Sequence, residues 1–378
     1  MNLEIKKEVL LHFLLQIQKI LPQKTFFPVF NYIKLEISQD VFFLEVLNMN
    51  ISVRIKIQDN SLKVKQNGSL VIVGKYFIDI IKKIDSVFIQ IASIENRLLV
   101  IKTASSEYKL KIMNLCDFPS IDFVVDVNNV FMIRSNFFKR LIKETNIVTS
   151  KDKQQKILTG VNLFYQKPFL KAFATDSFRL SKKEIELNLN YSNFNIVIAH
   201  KNLEELNKLL EYQKDEFLKI SVNNQRFILY CDSLIFQTSL LEGDYPLLPE
   251  IKMQQFPFFI KLNKEDLIKT LERLSLFLPK EENVFSNIIE IKIVNQQMIE
   301  ISANSDEIGN AVERITPLKS SIKEGVKISL NVKHLEEILK VFPAKEIKIL
   351  FQNGSNPFII HNEEEKTLLY LILPFFPI

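Results

Sequence analysis

A chain of 378 residues with 47% apolar and 25% charged residues is globular, and neither disordered nor fibrous. At roughly 150 residues per domain it holds two or three domains. Its net charge of +5, from 49 basic and 44 acidic residues, is too small for a protein that grips duplex DNA over its whole surface, unless basic and acidic faces are kept apart.

In chain order, the first predicted element is the apolar run Val9 to Leu21, broken by His12, Gln16, Gln18 and Lys19 and followed by no small-residue cleavage site. It reads as a helix and not as a signal peptide. It is the first of six amphipathic helices with basic polar faces, beginning near Lys6, Lys75, Asn136, Lys201, Lys264 and Lys333. Their spacing of roughly 60–70 residues is longer than most solenoid repeats. The third helix turns Phe138, Leu141, Ile142 and Thr145 inward and Lys139, Arg140 and Lys143 outward. The fourth buries Leu203, Leu206 and Leu210, with Lys201 and Lys208 outside. In the sixth, Leu335, Ile338, Leu339 and Phe342 recur at i, i+3, i+4 and i+7, one stripe facing a sheet. Asn136 and Asn263 are candidate N-caps.

Between the helices, period-two alternation predicts antiparallel strands at 33–37, 42–46, 52–57, 227–230, 289–293 and 347–351. Asn67-Gly68, Asn223-Asn224 and Asn353-Gly354 supply the tight turns. Each module is a strand, a helix and about three strands, and two modules make a domain of about 125 residues. Boundaries fall near Val124 and Lys252, giving domains 1–124, 125–252 and 253–378 of an α+β protein.

The terminal stretch Leu368 to Ile378 is apolar but too short to cross a bilayer and contains Pro374 and Pro377. Cys116 and Cys231 lie far apart, as reduced cytosolic thiols do, and His12, His200, His334 and His361 have no metal-ligand spacing. The expectation is a soluble, cytoplasmic protein without cofactor or metal. No Gly-rich phosphate loop is present. Asp176 lacks a second carboxylate or histidine at a defined spacing, so a structural turn with an Arg salt bridge is its expected role. Glu281-Glu282 and Glu363 to Glu365 read as solvated charge runs.

The most informative run is Phe173-Ala-Thr-Asp-Ser-Phe-Arg-Leu-Ser181. A strand from Phe169 to Ala174 stops at Thr-Asp-Ser, whose side chains bond their own backbone, and a new strand starts at Arg179. By geometry alone this is an ordinary hairpin. Its Ala-Thr-Asp-x-x-Arg-Leu pattern, however, resembles the signature of the bacterial DNA polymerase III beta subunit family, the sliding clamps. The resemblance spans the chain. Phe27 to Glu36, Asp117-Phe-Pro119, Leu158-Thr-Gly-Val161, Leu241-Glu-Gly-Asp-Tyr-Pro246 and Tyr370 to Pro374 each match a family segment, in the family's order.

What the resemblance implies is a head-to-tail homodimer of three similar domains per subunit, with helices surrounding double-stranded DNA and no catalytic site. Lys24, Lys75, Lys82, Lys139, Lys143, Lys151, Lys153, Lys156, Lys201, Lys208, Lys269, Arg273, Lys333 and Lys340 would then face phosphates without reading sequence. Leu158, Thr175, Ser177, Phe178, Arg179, Leu180, Pro246, Ile251, Leu371, Leu373, Pro374 and Phe375 would line a groove between the second and third domains. The groove would take short Gln/Leu/Phe peptides of the DNA polymerase III alpha subunit, the clamp loader and repair proteins. Phe178 and the tail Phe375 to Ile378 depart from the family pattern and imply a groove floor that prefers bulkier or flatter anchors. Tyr108 and Leu110, against Phe277 and Leu278, would form the subunit contact. The rival readings are a metal-dependent nucleic-acid hydrolase using Asp152, Asp176 and Asp244, and a monomeric adaptor.

Overall fold

The computed structural model describes residues 1–95, 97–124, 129–247, 251–279, 287–322, 325–365 and 367–375. The Glu281-Glu282 run and the tail beyond Phe375 therefore lie outside the described residues. Six helices are present: α1 (Lys7–Gln18), α2 (Gly74–Lys83), α3 (Ser135–Asn146), α4 (His200–Leu210), α5 (Lys264–Leu274) and α6 (Val332–Val341). Each starts within a residue or two of its expected position. The apolar stripes explain why: Leu335, Ile338, Leu339 and Phe342 of the α6 segment are all buried, as are Phe138, Leu141, Ile142 and Thr145 of α3. Asn263 caps α5 by accepting from the Glu265 and Asp266 amides, and Asn331 does the same for α6 through Lys333 and His334. Asn136 is not a cap, because α3 already begins at Ser135.

Every helix follows a lead strand and precedes three antiparallel strands. The chain divides into two compact units, Met1–Lys139 with Lys201–Leu240, and Arg140–His200 with Leu241–Ile378. In the first unit, α1 and α2 pack together, and Lys82 Nζ donates to Gln18 Oε1 at 2.9 Å. Its five-stranded sheet runs Lys63–Gln66, Asn2–Lys6, Phe88–Ile94, Leu98–Lys102, Glu107–Lys111. Its eight-stranded sheet starts at Phe131–Arg134 and ends at Gly68–Val73, and at its centre Leu234–Ser239 pairs with Ile51–Ile57. In the second unit, α5 and α6 pack together, and Lys264 Nζ donates to the Phe342 carbonyl at 2.7 Å. There a nine-stranded sheet joins Arg179–Glu186 to Leu368–Ile372, and a four-stranded sheet runs Gly309–Ile315, Met298–Ser305, Ile288–Asn295, Val326–Asn331.

Two regularities follow from these pairings. Lead strands are exchanged between neighbouring modules: Asn2–Lys6 pairs with the first strand after α2, and Gly68–Val73 with the first strand after α1. The same exchange recurs around α3 and α4 and around α5 and α6. This knits modules into pairs. Second, the third strand of the α4 module pairs with the third of the α1 module, and the third of α3 with the third of α6. The third strands of the α2 and α5 modules, Glu107–Lys111 and Gly309–Ile315, are sheet edges.

Asn223 turns its hairpin as expected, its side chain accepting from the Gln225 and Arg226 amides. Asn67-Gly68 does not make a hairpin. The strands on either side of it belong to different sheets, and Gly68, at φ +152°, lets the chain cross beside Met1. Among the described residues no helix is long and apolar enough to cross a membrane.

Candidate functional site

The Thr-Asp-Ser turn closes on itself as its residue types require. Asp176 Oδ1 accepts from the Phe178 and Arg179 amides at 3.0 and 2.9 Å. Thr175 Oγ1 accepts from the Ser177 amide and donates to the Arg179 carbonyl. Ser177 pays for the tight path with a positive φ of 76°. Tyr245, whose phenol burial pushes above its usual range, accepts from the Thr175 amide at 3.0 Å.

Arg179 is the hub. Only 5% exposed, it donates to Asp176 Oδ2 at 2.8 Å, Glu337 Oε2 at 2.6 Å, and the His334 and Ile147 carbonyls at 3.2 Å each. A buried guanidinium with this many acceptors fixes the turn against α6 and the end of α3. Asp176 is thus occupied as a turn and ion-pair residue.

Beside the turn lies a cavity of about 400 Å³. The loop after α3 (Ser150, Lys151, Asp152), the turn (Ser177, Phe178, Arg179) and the α6 end (Asn331, His334, Glu337) line it. His334 is 8% exposed and its Nδ1 has no partner. Burial, then the Arg179 charge, lower its pKa to about 4, against the opposing charges of Asp176 and Glu337. At neutral pH it is uncharged.

Of the expected groove residues, Ser177, Phe178 and Arg179 line this cavity. Leu180 faces Leu371 across the strand pair, and both Ile251 and Leu371 pack on the Leu350, Ile359 and Leu369 cluster. The Leu373 amide donates to the Phe178 carbonyl at 2.9 Å, and Phe178 stacks on Phe375 with centroids 5.8 Å apart at 17°. Leu158 and Thr175 are almost buried, Leu373 and Phe375 half-buried, Pro374 buried and Pro246 exposed. A partly apolar wall with a polar cavity beside it suits a peptide side chain, with backbone groups to orient it.

The expected DNA-facing lysines are exposed except Lys139, which is half-buried. Several already have partners: Lys82 with Gln18, Lys151 with Glu337, Lys208 with Glu205 and Lys340 with Glu336. Arg273 departs from expectation. Its Nε and Nη2 bind both Glu313 oxygens at 2.6 and 2.5 Å, so its charge is neutralised and it ties α5 to the edge strand. Of the expected subunit contact, Tyr108 and Leu110 lie on the free edge Glu107–Lys111. Leu278 is in the core at 4% exposed, because the short turn after α5 folds it inward and leaves Leu276 outside at 73%.

Sequence reasoning missed His334, Asn331 and Glu337 as cavity residues. Asn331 ahead of an apolar helical stripe carried a cap signal. His334 and Glu337 carried none, because what joins them to Arg179 is tertiary. Asp152 and Asp176 share the cavity and Asp244 does not; among the described residues no group of three His, Cys, Asp or Glu could hold a metal.

Comparison with known proteins agrees with the repeat. Three family models match in order: DNA polymerase III beta subunit, N-terminal domain, over residues 1–122; central domain, over 132–247; and C-terminal domain, over 254–376. The chain is 27% identical to the beta sliding clamp of Bacillus subtilis over 99% of each chain. The crystal structure of the Bacillus subtilis clamp superposes with a TM-score of 0.91 at 26% identity, and that of the Streptococcus pyogenes beta subunit with 0.91 at 25%, each covering 100% of both chains. The chain therefore belongs to the DNA polymerase III beta subunit family, with three clamp domains of antiparallel sheet and the function of a sliding clamp: polymerase processivity, without catalysis of its own.

Proposed function

We propose that two copies of this chain close head to tail into a ring around duplex DNA. The observation that carries the reading is the pair of free third strands. Everywhere else among the described residues third strands join in pairs, building sheets of eight and nine strands. Joining Glu107–Lys111 of one copy to Gly309–Ile315 of the other would merge a five-stranded and a four-stranded sheet into one of nine, the same size, and would remove two exposed edges. Exposed Tyr108, Ile308 and Val312 supply apolar contacts for that seam. The three domains would be residues 1–124, 125–252 and 253–378.

The exposed lysines of the helices, with Lys24 and the loop lysines Lys151, Lys153 and Lys156, would meet phosphates inside the ring. Such contacts are sequence-blind and salt-sensitive, which suits sliding. The groove around Phe178, Leu371 and Leu373 would take Gln/Leu/Phe tails of the polymerase alpha subunit, clamp loader and repair proteins, competing for one site. The protein would work in the cytoplasm, on the nucleoid.

Sedimentation at micromolar concentration tests the assembly. A ring runs near 88 kDa, twice the 44.2 kDa chain. A species at 44.2 kDa that persists at all concentrations would favour the monomeric adaptor instead.

A further inference from the structure

Phe26 is fully exposed, at 102%, in the loop that leads from α1 to the short turn Pro28–Asn31. That loop is held in shape. Thr25 Oγ1 accepts from the Phe27 amide at 3.1 Å, and the Phe27 ring rests 5.5 Å from Phe30. The backbone is pinned on the far side of Phe26 while the Phe26 ring stands in water, forgoing the burial that drives such side chains inward.

Its surroundings are basic. Lys24 is exposed two residues earlier, and exposed Lys19 follows the last turn of α1, its ammonium donating to the Tyr212 hydroxyl at 3.3 Å. The Lys82 bond to Gln18 brings the C-terminal end of α2, with Lys82 and Lys83, to the same end of α1. Within two residues of these four lysines the sequence holds a single acid, Asp85. Charged residues are depleted at the centres of protein interfaces, so a fully projecting ring among lysines, with Phe27 53% exposed beside it, is poorly made as a protein anchor. It is well made for nucleic acid. An aromatic face stacks any unpaired base, and flanking cations hold the backbone. A duplex offers no free base face along its length.

We propose that Phe26 is a stacking platform for an unpaired base of single-stranded DNA, next to the end of the duplex held by the ring, with Lys24 on a phosphate of that duplex. The inference rests on the clamp reading above, which puts the α1–α2 pair and the loop that follows α1 beside DNA. It deepens that reading by adding a contact that distinguishes a primer–template junction from plain duplex.

The test compares the full-length protein on two DNAs of equal duplex length at low salt: one blunt, one with a single-stranded overhang bearing 2-aminopurine at the first unpaired position. The wild type should bind the overhang DNA about tenfold more tightly and quench the 2-aminopurine on binding. Phe26→Ala should lose both the preference and the quenching, Phe26→Tyr should keep both, and Lys24→Ala should weaken both DNAs alike. Phe26→Ala that retains the preference, or that weakens both DNAs equally, overturns the proposal. So does a Phe26→Ala protein with normal DNA binding but reduced polymerase stimulation, which would give the ring to a protein partner. Retention of loaded protein on nicked circular DNA, read for both proteins, separates the two failures. If the clamp reading is wrong neither is retained; if only the stacking is wrong both are.

Discussion

The seam between Arg179–Glu186 and Leu368–Ile372 and the free edges Glu107–Lys111 and Gly309–Ile315 occupy the same position in different modules, yet they are built from different side chains. At the seam Lys183 and Glu144, 3% and 2% exposed, pair at 2.6 Å. Glu365 joins Lys183 at 3.2 Å and Arg140 at 2.7 Å, Arg140 reaches Glu144 at 3.0 Å, and the Tyr370 hydroxyl donates to the Glu144 carbonyl at 2.7 Å. Such a network resists separation, because parting its members would strand buried charge. The edges carry solvated charge instead. Glu107 pairs with Lys102 and Lys109, all three at least 39% exposed, and Val312 stands 53% exposed. Pairs of that kind contribute little and re-form easily in water. The contrast teaches where the proposed ring would part when it is opened for loading: at its edges, leaving the seams intact.

The largest effect should come from breaking the seam. Glu144→Ala leaves Lys183 buried without its closest partner and should cost about 3–5 kcal/mol in chemical denaturation. Glu144→Leu combined with Lys183→Met should recover most of that loss, because an apolar pair has no charge to desolvate. Failure of the double variant to recover would mean that the network does more than neutralise itself. Beside the seam, Leu373→Asp puts a charge in the proposed groove wall and should abolish polymerase stimulation while the 88 kDa mass persists. At the edge, Val312→Asp should raise the dimer dissociation constant by about tenfold without changing the thermal midpoint of the subunit, since the side chain is outside the core. A fall in midpoint would contradict the idea that the edge is independent of the fold.

The smallest effect is on pH. Burial raises the Glu365 pKa, but hydrogen bonds from Thr367 and Arg140 and the Lys183 charge outweigh it and bring the value to about 2. Both Glu365 and His334 have folded values below their unfolded ones, so each favours folding at neutral pH and loses that contribution as acid is added. His334 acts first, between 6.5 and about 4, and Glu365 between 4.5 and about 2. Denaturation midpoints should therefore fall in two stages. His334→Phe should remove the upper stage and leave the lower one.

Much of the fold was legible because each element carries a local signal. Apolar stripes set the six helices, and period-two alternation set strands such as Ile51–Ile57. The Thr175–Asp176 turn was legible for the same reason: its side chains bond their own backbone within four residues. What escaped depends on partners distant in sequence. Nothing near Asn67-Gly68 reveals that the chain there crosses between sheets, and nothing near Arg273 reveals that Glu313, 40 residues on, will neutralise it. His334 became a cavity residue through Arg179, 155 residues away, which no periodicity reports.

The central claim is topological, and one measurement reaches it most directly. Protein loaded by a clamp loader and ATP onto nicked circular DNA should stay bound in high salt, then leave when the circle is cut to a linear molecule. Equal loss from circle and linear DNA as salt rises would mean that it holds DNA by charge alone, and would contradict the ring.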